Sequence, residues 1–129
     1  MFASRVLAAQ AACLALAISV HATDDGIVVE KNVEARMRDG VVLRADVYRQ
    51  PGSGRRPVLL RRTPYSKNDP DDVSRFRALA ARGFVVVVQD TRGRYTSDGV
   101  ARPHDEAEDG FDTIAWVRTL PNADGKVGM

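Results

Sequence analysis

The feature that most constrains the fold is a continuous apolar run of mostly β-branched residues from Phe84 to Val88. A strand that is apolar at every position is typical of a sheet covered on both faces, as parallel sheets are. The segment before the run predicts a helix, since Asp71 and Asp72 suit the positive end of a helix dipole and Gly83 suits a left-handed cap. Strands that alternate with helices indicate an α/β fold with a mainly parallel sheet flanked by helices.

An antiparallel hairpin is predicted ahead of this region. Apolar and polar residues alternate over two short runs, which is the period of a strand with one buried and one solvated face. The dipeptide Asp39-Gly40 lies between the runs and predicts the turn, because glycine accepts a positive φ. The predicted inward-facing residues are Val33, Ala35, Met37, Leu43, Ala45 and Val47.

The remaining elements follow in alternation. A third strand begins at Pro57 and ends before Pro64, which has no N–H for a strand ladder. A second helix follows Pro103 and ends by Pro121, and a further strand begins at Lys126. The predicted buried faces are Val73, Phe76, Leu79 and Ala80 on the first helix, and Phe111, Ile114 and Ala115 on the second.

The first 22 residues are predicted to be a secretory signal peptide. Arg5 precedes an apolar stretch that runs from Val6 to Val20, and Ala22 provides a small-residue cleavage site. We therefore expect a secreted or periplasmic protein whose domain occupies residues 23–129, with no membrane attachment after cleavage. The only cysteine of the chain is Cys13, so residues 23–129 contain neither a disulfide nor a thiolate metal site.

Composition excludes some classes of partner and cofactor. The 19 basic and 17 acidic residues nearly balance, which argues against a nucleic-acid partner. No Walker loop, Gly-x-Gly-x-x-Gly or His-Glu-x-x-His is present, so neither a metal nor an organic cofactor is expected. The acidic residues from Asp105 to Asp112 are interpreted as the solvated start of a helix rather than as a metal site.

Five motifs, in order along the chain, resemble one family. They are Met37-Arg38-Asp39-Gly40-Val41 with Leu43 and Asp46-Val47-Tyr48-Arg49, Arg62-Thr63-Pro64-Tyr65-Ser66-Lys67, Gln89-Asp90-Thr91-Arg92-Gly93 with Ser97-Asp98-Gly99, Asp109-Gly110 with Asp112-Thr113 and Trp116, and Asp124-Gly125-Lys126-Val127-Gly128-Met129. This pattern is similar to the cocaine esterase and X-Pro dipeptidyl-peptidase group of α/β-hydrolases. The resemblance implies a serine hydrolase that cleaves a small ester, an amide or a peptide through an acyl-enzyme.

The resemblance also assigns roles to individual positions. The catalytic serine is expected a few residues beyond Met129, so the chain is expected to stop before the nucleophile elbow and to lack the catalytic Asp and His, which follow the serine in chain order. Tyr65 matches the tyrosine whose hydroxyl donates to the oxyanion, and His104 matches a position near the substrate pocket. Asp90 and Arg92 are expected to form a salt-bridged loop anchor rather than to act in catalysis.

A function from another class remains open at this point. The chain could be a secreted, non-catalytic α/β binding module that is complete at Met129. The expected pairing of the 57–62 strand with the strand that begins at Lys126 argues against such a module, because the second strand would be short and would leave an apolar edge.

Overall fold

The computed structural model describes residues 20–22 and 25–129, so the predicted signal peptide lies mostly outside the described residues. The described elements are β1 (Val20–Ala22), β2 (Val28–Arg36), β3 (Val42–Arg49), β4 (Arg56–Thr63), α1 (Pro70–Ala81), β5 (Val85–Asp90), a 3₁₀ turn (Pro103–Asp105), α2 (Glu106–Val117) and β6 (Ala123–Gly128). None of the helices in this part of the chain is long and apolar enough to cross a membrane.

The strands form one mixed sheet in the order β1-β2-β3-β5-β4-β6. The predicted hairpin is confirmed, because β2 and β3 pair antiparallel, and β3 then joins β5 antiparallel. Strand β4 lies between β5 and β6 and runs parallel to both. The predicted pairing of the third strand with the last one is therefore also confirmed, with Val58 opposite Val127. The fold is α/β, with a hairpin that leads into parallel strands.

Strand β5 separates two apolar layers. All six of its residues are buried. Val86 and Val88 pack with Phe76 of α1, whereas Val85 and Val87 pack with Val117 of α2. Successive side chains of a strand point to opposite faces of the sheet. One helix therefore covers each face, which is what the continuous apolar run predicted.

Helix α1 follows the prediction closely and adds a cap that was not predicted. The carboxylate of Asp69 accepts hydrogen bonds from the N–H groups of Asp71 and Asp72, at 3.0 and 3.4 Å, and so caps the helix. At the other end Gly83 has φ +102°, as expected of a left-handed cap.

The predicted buried face of α2 is wrong for Phe111 and Ala115, which are exposed, whereas Ile114 is half-buried and packs against the core as predicted. Phe111 is 69% exposed, and the residues of α2 that are buried are Asp109, Thr113 and Val117. The hydroxyl of Thr113 donates to the side-chain oxygen of Gln89 at 3.0 Å. Polar residues face the sheet here because each has a buried partner. Apolar periodicity in the sequence cannot identify a buried face that consists mainly of polar residues.

The prediction of one solvated face on β3 is also wrong. Asp46 and Tyr48 are as buried as Val47, the apolar residue between them, with 0% and 1% exposure. Helix α1 covers this face, and the rings of Tyr48 and Phe76 have centroids 5.7 Å apart. Burial raises the pKa of the Tyr48 phenol to about 12.

Candidate active site

The carboxyl ends of β4 and β5 form the edge at which the candidate site lies. Thr63 and Asp90 are the last residues of the two strands and are register partners. The N–H of Thr91 donates to the carbonyl of Thr63 at 3.1 Å, which keeps the two chains together as they leave the sheet. In open α/β sheets, active-site groups are typically found on the loops that follow such strand ends.

Tyr65 lies on the loop that follows β4 and is 81% exposed. Its N–H donates to the side-chain oxygen of Thr63 at 3.0 Å, so the backbone is held while the phenol is free to meet a ligand. Tyr65 lines an open groove together with Gly93, Arg94 and Tyr95 of the loop that follows β5. Tyr95 is 67% exposed, so the groove carries two accessible phenols.

A buried lysine, Lys67, anchors the Tyr65 loop to strands β2 and β3. Lys67 is 1% exposed; its ammonium forms an ion pair with Asp46, 2.9 Å from a carboxylate oxygen, and donates to the side-chain oxygen of Asn32 at 2.8 Å. Asp46 also accepts from the side chain of Lys31 and from the N–H of Asn32. A buried ammonium is tolerated where it is paired and hydrogen-bonded in this way.

A bulge in β2 makes this anchor possible. The register of β2 against β3 shifts between Glu30 and Val33, and Asn32 within the bulge has φ +55°. Bulges redirect side chains next to functional sites. Sequence reasoning missed both the bulge and the Lys67 anchor. The available signal was the lysine at the end of the Arg62–Lys67 motif.

Asp90 is an anchor, but not through a salt bridge with Arg92. Its buried carboxylate accepts from the N–H of Lys67 at 2.8 Å, and from the N–H and hydroxyl of Thr96 at 3.1 and 2.7 Å. Backbone N–H groups and one hydroxyl, from two loops, therefore bind the Asp90 carboxylate in place of the expected salt-bridge partner. Charge-assisted hydrogen bonds of this kind are stronger than neutral ones.

Arg92 forms the salt-bridged anchor that was predicted, with two carboxylates. Its Nε and Nη2 donate to Asp109 at 2.8 and 2.7 Å, and its Nη1 and Nη2 donate to Asp39 at 2.8 and 3.2 Å. These hydrogen bonds raise the pKa of Arg92 and lower the pKa of Asp39. Arg92 thereby joins the loop after β5 to both the hairpin turn and α2.

The interpretation of residues 105–112 as a solvated acidic helix start is wrong for two of its members. Asp109 is 2% exposed because it binds Arg92. Asp112 accepts from Arg38 through both side-chain oxygens, and this lowers the pKa of Asp112. In the described part of the chain, no group of three or more His, Cys, Asp or Glu side chains is arranged to hold a metal ion.

His104 lies in the 3₁₀ turn ahead of α2. Its imidazole is 76% exposed, and its Nε2 lies 3.3 Å from a carboxylate oxygen of Asp105. Its neighbour Pro103 lines a second groove together with Glu106 and Pro64. His104 is not among the residues that line that groove, so its place near a substrate pocket stays a prediction.

The mixed sheet, its two covering helices and the loops at the carboxyl edge define an α/β-hydrolase-type fold. A family profile described as X-Pro dipeptidyl-peptidase (S15 family) matches residues 39–129. The chain belongs to this family.

Individual relatives agree with this assignment. Cocaine esterase of Rhodococcus sp. (strain MB1 Bresler) is 40% identical over 111 residues, which are 82% of this chain and 19% of that protein. A CocE/NonD family hydrolase from Staphylococcus aureus superposes with a TM-score of 0.71 at 26% identity, over 79% of this chain and 22% of the other. An aminopeptidase from a marine-sediment Thaumarchaeota archaeon gives a TM-score of 0.68 at 26% identity, over 81% and 21% of the two chains. The chain thus spans about a fifth of the length of these relatives.

Proposed function

We propose that residues 1–129 form the amino-terminal part of a secreted serine hydrolase that cleaves an ester, an amide or a peptide bond. In such an enzyme a serine hydroxyl attacks the carbonyl carbon, and water then hydrolyses the acyl-enzyme. Membership of the S15 family supports hydrolase chemistry. The relatives include proteins named as an esterase and as an aminopeptidase, which supports a small ester or a peptide as the substrate class.

The observation that carries this proposal is the position of Tyr65. Its phenol is exposed at the carboxyl end of a central strand, on a backbone held by the Thr63 side chain. A phenol can donate one hydrogen bond to the negative charge that develops on a carbonyl oxygen in the transition state. We assign Tyr65 as this oxyanion donor, with an expected contribution of about 3 kcal/mol to transition-state stabilisation.

The position of β6 supports a serine at the same edge. Strand β6 runs parallel to β4 and pairs with it directly. The carboxyl ends of parallel neighbours lie at the same edge of a sheet, so a serine that follows β6 would arrive beside the loop of Tyr65. His104, exposed in the turn before α2, is proposed to border the pocket for the substrate.

Export is part of the proposal and concerns residues that are mostly outside the described structure. Cleavage after Ala22 would remove β1, which pairs only with β2 at one edge of the described sheet. The other strand pairings would be retained. Among the described elements, β1 alone is shared between the predicted export signal and the sheet.

The substitution Tyr65→Phe in the intact hydrolase tests the proposal. We expect kcat to fall about 100-fold with little change in KM, because the lost hydrogen bond forms only in the transition state. Tyr48→Phe is the matched control, since it removes a phenol in the core rather than at the groove. The 129-residue chain alone, which contains no Gly-x-Ser-x-Gly, should not turn over a p-nitrophenyl ester. Turnover by the chain alone, or an unchanged kcat in Tyr65→Phe, would contradict the proposal.

A further inference from the structure

One carboxylate at the end of β5 holds the two loops that border the groove. Oδ1 of Asp90 accepts from the N–H of Lys67 at 2.8 Å, and Lys67 follows Tyr65 by two residues. Oδ2 of Asp90 accepts from the N–H and the hydroxyl of Thr96 at 3.1 and 2.7 Å, and Thr96 directly follows Tyr95. Asp90 is 0% exposed, so water does not compete for these hydrogen bonds. Each oxygen of the carboxylate serves one loop.

Each loop has a second attachment that holds the backbone next to its tyrosine. The ammonium of Lys67 is held by Asp46 and Asn32, and the N–H of Tyr65 is held by Thr63. In the other loop, the hydroxyl of Ser97 donates to the carbonyl of Asp90 at 2.6 Å. The backbone on both sides of the groove is therefore attached to the ends of β4 and β5.

The backbone conformation next to the two anchored positions is strained, which indicates that the surrounding contacts fix the loops. Ser66 has φ +83° and Tyr95 has φ +44°, a region that residues other than glycine adopt at a cost. Such conformations persist where the surrounding contacts over-determine them, and they cluster at active sites. Here the two residues lie next to the positions that Asp90 holds, Lys67 and Thr96.

We propose that Asp90 is a positioning residue that holds the loops of Tyr65 and Tyr95 in fixed relation, so that the Tyr65 phenol is aimed at the oxyanion before the substrate binds. The inference rests on the proposed role of Tyr65 and extends it to a residue that does not touch the substrate. A donor that is already oriented needs no reorganisation during the reaction, whereas a small displacement weakens it. Tyr95, on the loop held by the other oxygen, forms the facing wall of the groove.

Asp90→Asn in the intact hydrolase is the first test. The amide has the shape of the carboxylate, but its NH₂ arm cannot accept a hydrogen bond, so one of the two loops loses its anchor. We expect kcat to fall by about 10-fold or more while KM changes by less than about threefold, because transition-state binding is lost and ground-state binding is kept. A variant whose kcat is unchanged, with any loss of kcat/KM caused by a higher KM, would overturn the inference.

Thr96 provides a milder pair of variants in case the buried substitution prevents folding. Thr96→Val removes the 2.7 Å hydroxyl donor and keeps the shape of the side chain, whereas Thr96→Ser keeps the hydroxyl. We expect a several-fold loss of kcat in Thr96→Val and nearly full activity in Thr96→Ser. If both variants behave alike, the hydrogen bond to Asp90 does not position the groove.

A double-mutant cycle separates positioning from a general structural role. If Asp90 acts through the phenol, Asp90→Asn should lower kcat much less in the Tyr65→Phe background than in the wild-type background, since the group it positions is absent. An equal factor in both backgrounds would overturn the positioning role and leave the role of Tyr65 intact. No effect of Tyr65→Phe by itself would instead overturn the proposed function, and with it this inference.

Discussion

Arg92 is the residue whose substitution tests the described packing most sharply. It is 8% exposed and donates two hydrogen bonds to Asp109, which is 2% exposed. In Arg92→Met the carboxylate of Asp109 would stay buried without its partner. Breaking a buried ion pair on one side costs about 3–5 kcal/mol. Asp39 is the other partner of Arg92, and its side chain is 50% exposed. Because its carboxylate can be solvated by water after the substitution, losing this contact adds little to the loss of folding free energy.

The assay is urea-induced unfolding of the chain, followed by circular dichroism. With a slope of about 2 kcal/mol per molar urea, a loss of about 4 kcal/mol lowers the midpoint by about 2 M. Arg94→Met is the matched control, because Arg94 is exposed and forms no ion pair within the described residues; its midpoint should move by less than about 0.3 M.

A second variant identifies the cause of the loss. Arg92→Met combined with Asp109→Leu removes the buried charge together with its partner and should recover most of the lost stability, since apolar replacements of buried pairs are often neutral. A shift below about 0.5 M in Arg92→Met, or a double variant no more stable than the single one, would refute this account of Arg92.

Three further predictions follow from the turns, the charges and the amino terminus. Gly93→Ala should destabilise the chain by more than about 1 kcal/mol, because φ is +68° and a Cβ would lie 2.5 Å from a backbone nitrogen, whereas Gly54→Ala, with open space around it, should be nearly neutral in the same urea assay. The pKa of Asp112 is lowered by Arg38, so its contribution is present above about pH 5 and is lost as the pH falls through the lowered pKa; unfolding midpoints measured down to pH 3 should therefore fall less steeply in Asp112→Asn. Amino-terminal sequencing of the exported protein should begin at Thr23, and an uncleaved terminus would contradict the predicted signal peptide.

Local chemistry in the sequence predicted the elements well. The turn at Asp39-Gly40, the cap at Gly83 and the strand from Phe84 each depend on residues close in the chain, and each was confirmed within a residue or two. Helix α2 ends at Val117, four residues before the proline that was expected to end it. Strand β6 begins at Ala123, three residues before its predicted start.

The candidate site was predicted only in part. The strand end before Pro64 was predicted from the residue pattern, and the structure ends β4 at Thr63, so Tyr65 lies at that edge. The role of Tyr65 as an oxyanion donor depended on the family motif and stays a prediction. The supports of its loop were not predicted. Lys67 meets Asp46 and Asn32 across 21 and 35 positions of the chain, and no periodic pattern encodes such a contact.

By itself, the sequence determined the α/β class, the order of the elements and the family, because periodicity, turn residues and motifs are local properties of the chain. Only the tertiary structure decided which polar residues are buried. Asp46, Asp90 and Asp109 read as solvated or loop residues in the sequence, and each is buried because distant donors surround it. A polar side chain enters a core only where its partners are already in place, and the position of those partners is a property of the folded chain.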